Sequence, residues 1–142
     1  MATQPRLPDG TPFPTTYYLT CPRAAAALST LEAGGLMAAM AARLADDPDL
    51  ATGYRAAHAD YLERRAHLGG EVPEIAGISA GGMPDRVKCL HALAAHALVA
   101  GAGVNPLGDE ALAAIAPWWR AGPCVTPAGP IAAGPAPADP AP

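Results

Sequence analysis

The sequence contains little positive charge and few aromatic residues. Lys88 is the only lysine among 142 residues, the net charge is −4, and aromatic residues make up 5 % of the chain. Nucleic-acid binding relies on clustered lysine and arginine side chains that neutralise phosphates. The composition therefore argues against a DNA- or RNA-binding protein. Alanine is the commonest of the hydrophobic residues, so we expect a core of small side chains in close contact.

A long apolar segment and a complete disulfide framework are also missing. A membrane-spanning helix needs about 20 apolar residues, and the longest apolar stretch, 92–104, is interrupted by His96 and by glycines. The N-terminus lacks the basic start and apolar run of a secretory signal. We therefore expect a cytoplasmic protein without membrane insertion. Its three cysteines, an odd number, are expected to stay reduced.

Proline, glycine and N-cap residues divide the chain into short elements. Pro22, Pro48 and Pro84 suit the first position of a helix, and glycine pairs are typical helix ends. These signals predict a short strand over 15–20 and helices over 22–33, 36–47, 48–68, 84–101 and about 109–116.

The predicted elements indicate a mainly α fold. A small domain of four to five helices is expected over 15–120, after an extended, turn-rich N-terminal arm over 1–14. Residues 121–142 are largely proline, alanine and glycine, so they cannot bury enough surface to offset their ordering entropy. We expect this tail to be disordered, and its deletion to leave the melting temperature nearly unchanged.

The stretch "GISAGGMPDRVKCLHALAAH" at 77–96 carries the residues with most chemistry. On the predicted helix, Cys89 and His96 lie opposite the apolar face, with His91 at the edge of that face. Cys89 and His96 are about 10.5 Å apart along the axis, so they cannot hold an ion without further ligands. Cys21 is the natural candidate, because a helix N-cap position stabilises a thiolate.

The sequence therefore predicts a thiol or metal site made by Cys21, Cys89 and either His96 or His91. Such ligands suit zinc or another thiolate-bound metal, and two thiolates on one ion require Cα atoms within about 8 Å. The competing interpretation is structural. In it, His96 is a surface residue, Cys89 fills space and the preceding loop is ordinary.

The glycine-rich turn suggests two further sites. A helix is predicted to begin at Pro84, directly after a turn that contains Ser79, Gly81 and Gly82. The N-terminus of that helix and the side chain of Arg86 would favour weak binding of an anion such as phosphate at the turn. No Walker A motif is present. Residues 77–81 also match G-x-S-x-G, but that hydrolase motif needs an alternating βα sheet. Too few strands are predicted here, so we interpret the match as coincidental.

Three strings, "RLPDGTPFPTTYYLTCPR", "EVPEIAGISAGGMPDRVKCLHALAAH" and "GVNPLGDEAL", resemble one family over about residues 5–120. It is the actinobacterial domain of unknown function family five hundred and one. The resemblance implies a cytoplasmic bacterial protein and supplies no activity. Genes that often lie near family members point toward division or polyphosphate. Family members usually carry an upstream Cys-Pro-Cys-Gly segment, which this sequence lacks, so we expect an incomplete metal site that is empty or weakly occupied.

Three functions follow as expectations, and the sequence does not decide whether the protein is an enzyme. The first is an uncharacterised protein with a Cys/His metal or thiol site. The second is a non-catalytic interaction module with an unknown protein partner, linked to cell division. The third is a phosphate- or polyphosphate-directed enzyme or binder.

Overall fold

The computed structural model describes residues 1–126 and 129–130, and this part of the chain is mainly α-helical. Its five α-helices are α1 (Pro22–Ala33), α2 (Leu36–Asp46), α3 (Pro48–Gly69), α4 (Leu90–Ala100) and α5 (Pro106–Ala114). Two 3₁₀ turns, Pro73–Ile75 and Trp118–Ala121, and a two-residue antiparallel ribbon of β1 (Val125–Thr126) and β2 (Gly129–Pro130) complete it. The predicted helical class is confirmed. Most of the tail predicted to be disordered, 127–128 and 131–142, lies outside the described residues.

Side chains at the N-caps explain where two of the helices begin. The Asp47 carboxylate accepts hydrogen bonds from the backbone N–H groups of Asp49 and Leu50, at 3.0 and 2.9 Å, and so satisfies free donors at the start of α3. Asn105 does the same for α5 through the N–H of Gly108, at 3.0 Å. Helix α5 therefore begins at Pro106 rather than near 109, because Asn105–Pro106 repeats the signal that begins α3.

The prediction that the fourth helix begins at Pro84 is wrong. Residues 81–85 form a turn and 86–89 are irregular, so α4 begins only at Leu90. The backbone explains the delay, because the N–H of Lys88 donates to the carbonyl of Gly81, seven residues earlier, at 2.7 Å. A helix would require that donor to pair four residues back.

Helix α4 lies in the centre of the fold, against α5 and α1. A Cβ atom on Gly108 of α5 would lie 2.9 Å from the Ala97 Cβ, so glycine allows these helices to pack closely. Helix α4 is buried on nearly all sides. Leu90, Ala94 and Ala97 of the predicted apolar face are buried. Two positions differ from the prediction, because His96 is completely buried whereas Leu98 is 52 % exposed.

The N-terminal arm folds back on itself and reaches α3. Single antiparallel bridges join Ala2 to Tyr17 and Arg6 to Pro12. Within residues 15–20, where the sequence predicted a short strand, Tyr17 alone takes part in such a bridge. The N–H of Thr16 donates to the Tyr61 hydroxyl on α3 at 2.6 Å. Within the described residues, no single helix is long and apolar enough to cross a membrane. Helices α1 and α2 pass the same test only as a pair bent by 68°.

Candidate functional site

Three side chains with metal-ligating atoms converge where the end of α1 meets the start of α4. A carboxylate oxygen of Glu32, the Sγ atom of Cys89 and a ring nitrogen of His91 all lie within 4.8 Å of one another. The side chains of His91 and Glu32 are 28 % and 23 % exposed, and Cys89 is half-buried. The cluster is therefore ordered by its surroundings and still open to solvent.

The two helix ends bring these groups together. Glu32 lies in the last turn of α1, and Cys89 occupies the N-cap position of α4 without capping it through its side chain. The cap comes instead from Glu32, whose Oε1 accepts a hydrogen bond from the N–H of Leu90 at 2.6 Å. A carboxylate there also complements the positive end of the helix dipole. The thiol of Cys89 is left free to serve as a ligand.

The two ring nitrogens of His91 face hydrogen-bond acceptors on opposite sides. Nε2 lies 2.9 Å from the carbonyl oxygen of Ala25 and 3.3 Å from the Ser29 Oγ, whose own hydroxyl donates to the same carbonyl. Nε2 must therefore carry a proton. Nδ1 lies 3.1 Å from the Glu32 Oε1 and 3.9 Å from the Cys89 Sγ. In a neutral ring with Nε2 protonated, the lone pair of Nδ1 then points toward a carboxylate.

Three states satisfy that arrangement. His91 can be the doubly protonated cation that donates to Glu32 as well, or the thiol of Cys89, a weak donor, can donate to the Nδ1 lone pair. In the third state, a cation lies between the Nδ1 lone pair, the carboxylate and the sulfur. This third state has the usual pattern of a metal-binding histidine, which donates its other ring N–H to a backbone carbonyl or a carboxylate. The hydrogen bond to Ala25 is of this kind.

A separate polar network surrounds His96 deeper in the fold. Its Nε2 donates to the Asp60 Oδ2 at 2.8 Å, and its Nδ1 accepts from the side-chain amide of Asn105 at 3.2 Å. Asp60 also accepts from Arg64 at 2.6 Å. The ring packs against Tyr17 and Tyr61. Every polar atom of the ring is paired, so this network is explained by the fold itself.

Electrostatics support the neutral form of His96. Burial lowers the pKa of His96 below 6.5, and the negative charge of Asp60 offsets only part of that effect. Burial alone would raise the pKa of Asp60, but hydrogen bonds from Arg64 and His96 outweigh it and hold that pKa below its usual value. The pair therefore consists of a neutral imidazole and an ionised carboxylate.

The family model described as Protein of unknown function (DUF501) matches residues 1–113. The chain belongs to this family. No curated protein and no solved structure shows significant similarity to it. The DUF501 match covers all of α1 to α4 and most of α5, so the whole Glu32–Cys89–His91 cluster lies within the family region.

The structure brings together only part of the predicted site of this DUF501 chain. Cys89 and His91 lie in one cluster, as one of the predicted combinations requires. His96 belongs to the buried network instead, because α4 begins at Leu90 and turns that side chain toward Asp60 on α3. The buried position also corrects the structural interpretation that made His96 a surface residue.

Cys21 is not available to the cluster, because its sulfur forms a disulfide bond with Cys124, with Cα atoms 5.6 Å apart. Both the proposed shared site of Cys21 and Cys89 and the expectation that all three thiols are reduced therefore need correction. Cys124 lies in the segment 121–142, which the sequence predicted to be a disordered tail. The backbone of that segment is held by Arg23, which donates to the Gly122 carbonyl at 2.8 Å. Disulfides usually persist in oxidising compartments, so the cytoplasmic location stays a prediction.

Glu32 is the ligand candidate that sequence reasoning missed. It is the only acidic residue of α1, whose sequence is PRAAAALSTLEA. An acidic residue near a helix C-terminus opposes the helix dipole, which is a signal that the side chain serves another element. Its partner at the start of α4 lies 58 residues away along the chain, so no local pattern could identify it.

The predicted anion site at residues 79–82 is not followed directly by a helix, but its backbone N–H groups are unpaired in the part of the chain that the structure describes. Because α4 begins at Leu90, its N-terminus lies well beyond Ser79, Gly81 and Gly82, and Arg86 is exposed in the irregular segment before it. The prediction that a helix dipole favours an anion at this turn is therefore wrong. Within the described residues, the N–H groups of residues 79–82 make no hydrogen bond. Anion binding at this turn stays a prediction.

Proposed function

We propose that this DUF501 domain is a metal-binding protein that holds a zinc-like divalent ion through Glu32, Cys89 and His91. The observation that carries the proposal is the placement of His91, whose Nε2 is fixed as a donor while its Nδ1 faces a carboxylate and a thiol. An ion bound to Nδ1, the carboxylate and the thiolate removes the conflict between these groups.

The ligand set favours zinc. Thiolate and imidazole together suit zinc better than calcium or magnesium, which prefer oxygen ligands. No hydrogen bond from a described residue reaches the second carboxylate oxygen of Glu32, Oε2. That oxygen can therefore bind an ion while Oε1 still caps α4.

Three protein ligands leave one position of a tetrahedral ion free. Closed structural zinc sites use four protein ligands, whereas catalytic sites use three and keep the fourth for water or substrate. The partial exposure of Glu32 and His91 is compatible with an open position. A bound ion would act there as a Lewis acid, while Ala25 and Ser29 hold the His91 ring in place through Nε2.

Cobalt(II) titration of the purified chain tests the proposal. We expect one ion per chain and a thiolate-to-cobalt charge-transfer absorption that zinc removes by competition. Cys89→Ser should abolish this absorption. His91→Gln should weaken cobalt binding by more than the 10- to 100-fold that is typical when an outer-shell partner is lost.

Two controls separate the cluster from the other cysteines and histidines. A Cys21→Ser/Cys124→Ser double variant removes both sulfurs of the disulfide and should keep the absorption. His67→Gln changes an exposed histidine at the end of α3 and should bind cobalt like the wild type. Absence of the band in the folded wild-type chain, or its survival in Cys89→Ser, would refute the proposed function.

A further inference from the structure

A serine and a histidine, Ser79 and His58, join the glycine-rich turn to α3. Neither residue is one of the proposed metal ligands. The Ser79 Oγ lies 2.9 Å from the Nδ1 of His58, which projects from α3. Another possible partner of this hydroxyl, the carbonyl of Met83, is more distant at 3.4 Å. Ser79 is the central residue of the G-x-S-x-G match at 77–81. The motif set aside for lack of a sheet therefore has a histidine beside its serine.

The surroundings of His58 favour a neutral ring that can accept a proton. Burial lowers the pKa of His58 below 6.5, the charge of Asp85 opposes this effect, and the positive charge of Arg65 adds to it. A serine hydroxyl becomes a useful nucleophile when a neutral imidazole within hydrogen-bond reach can take its proton. The distance of 2.9 Å meets that condition.

Backbone donors follow the serine directly. Within residues 1–126, the N–H groups of Ala80, Gly81 and Gly82 have no hydrogen-bond acceptor. Free amides immediately after a nucleophile are the donors that stabilise an oxyanion in acyl transfer. Gly81 has a φ of 70°, and a Cβ atom there would lie 2.7 Å from the Leu93 side chain. The turn that leaves these amides unpaired therefore requires glycine.

A cavity borders the same segment. Its volume is about 450 Å³, and Gly77, the first residue of the motif, lies on its wall. Arg65 also lines it and donates to the carbonyl of Ile75 at 2.9 Å. The wall also includes the acidic residues Glu63 and Glu71, and its other side chains are apolar, those of Leu62, Ala66, Val72, Pro73 and Ala76. A short apolar chain fits this apolar part of the wall.

We propose that Ser79 is an acyl-accepting nucleophile activated by His58, in a site for esters or thioesters of short apolar acids. The Ser79 Oγ attacks the carbonyl carbon while its proton passes to the Nδ1 of His58. The bond to the leaving alkoxide or thiolate then breaks, and that group takes the proton from His58. Water, deprotonated by the same ring, hydrolyses the acyl-serine and restores the hydroxyl. This activity is separate from the proposed metal site.

Labelling with diisopropyl fluorophosphate tests the proposal on the full chain. The reagent phosphorylates an activated serine and releases fluoride, and peptide mass spectrometry locates the product. The chain contains two serines, Ser29 and Ser79, so exposed Ser29 is an internal control for non-specific reaction. We expect modification of Ser79 with little of Ser29, at a rate that rises with pH as His58 loses its proton.

Variants of His58 and Ser79 test the role that the proposal gives to each residue. His58→Gln can keep a hydrogen bond to Ser79 but cannot act as a base, so labelling should slow by about 100-fold or more. Ser79→Ala should abolish labelling of residue 79 and hydrolysis of p-nitrophenyl butyrate. His67→Gln, which changes an exposed histidine of α3, should leave both unchanged. Chelation of divalent metal with EDTA should also leave both unchanged, which distinguishes this site from the metal cluster. The proposal is overturned if Ser79 of the folded wild-type chain stays unlabelled, or if His58→Gln reacts as fast as the wild type.

Discussion

His91 and His96 lie five residues apart in α4, yet their surroundings are opposite. His96 is completely buried, and each of its ring nitrogens has a partner of the right kind, one acceptor and one donor. His91 is partly exposed, and both of its nitrogens face acceptors. The contrast separates a histidine that two strong hydrogen bonds satisfy from the one that we propose as a ligand. At His91, only the weak donor of the Cys89 thiol is available to Nδ1 unless a proton or a metal ion adds positive charge.

The largest expected effect comes from breaking the buried network. Asn105→Ala removes the cap of α5 and the donor to the Nδ1 of His96. Losing a cap costs about 1 kcal/mol, and a buried polar atom without a partner costs about 1–3 kcal/mol. We therefore expect a loss of about 3 kcal/mol in unfolding free energy, measured by urea denaturation. A loss below about 1 kcal/mol would show that the network contributes little to stability.

Zinc should stabilise the folded chain by binding to His91. An ion that binds the folded state alone adds about 2.7 kcal/mol to the unfolding free energy when its free concentration is about 100 times Kd. The shift should disappear in His91→Gln and persist in His67→Gln, as measured by thermal unfolding with and without zinc. An equal shift in both variants would place the ion away from the cluster.

A smaller effect separates the two roles of Glu32. Glu32→Ala removes the acceptor for the N–H of Leu90 and should lower the unfolding free energy by about 1 kcal/mol. Glu32→Gln keeps an oxygen that can cap α4 but removes the charge that an ion requires. We expect it to retain most of the stability while cobalt absorption weakens. If both variants lose equal stability, the carboxylate charge rather than the hydrogen bond stabilises α4.

The last effect is a gradual dependence on pH. Because burial lowers the pKa of His96 in the folded state, the unfolded chain takes up a proton first as the pH falls below 6.5. The stability gained from the neutral ring is complete above that value and declines as the pH approaches the folded-state pKa. Urea unfolding between about pH 5 and pH 8 should give a smaller slope for His96→Gln than for the wild type.

His58 contributes to the same slope, because burial lowers its pKa as well. His58→Gln should therefore also reduce the slope of unfolding free energy against pH, which makes it the comparison for His96→Gln. His67→Gln, which changes an exposed residue, should leave that slope unchanged. If His96→Gln has the wild-type slope, the buried ring does not control the acid sensitivity of the fold.

Local signals in the sequence were sufficient for much of the helical architecture. Asp47–Pro48 and the glycines after Ala33 mark helix ends through capping and backbone freedom, and such effects act within a few residues. The start of α4 could not be found in this way. Its delay depends on the hydrogen bond from Lys88 to Gly81, which competes with the helix and leaves no local pattern.

The candidate site was predictable only in part, for a related reason. Cys89 and His91 stand out because their residue types carry chemistry wherever they occur. Glu32 reaches them from another helix, and Cys21 pairs with a cysteine 103 positions away. Contacts across such separations depend on how the helices pack. The same holds for Ser79, whose motif became informative only when α3 placed His58 beside it.

The Cys21–Cys124 bond has a mechanical consequence. All five helices lie between these two residues, and the Cα atoms of the cysteines are 5.6 Å apart. Tension applied to the chain outside this pair passes through the sulfur atoms and bypasses the helices. The five helices of the oxidised domain are therefore shielded from that load, whereas in the reduced domain the load would pass through α1 to α5.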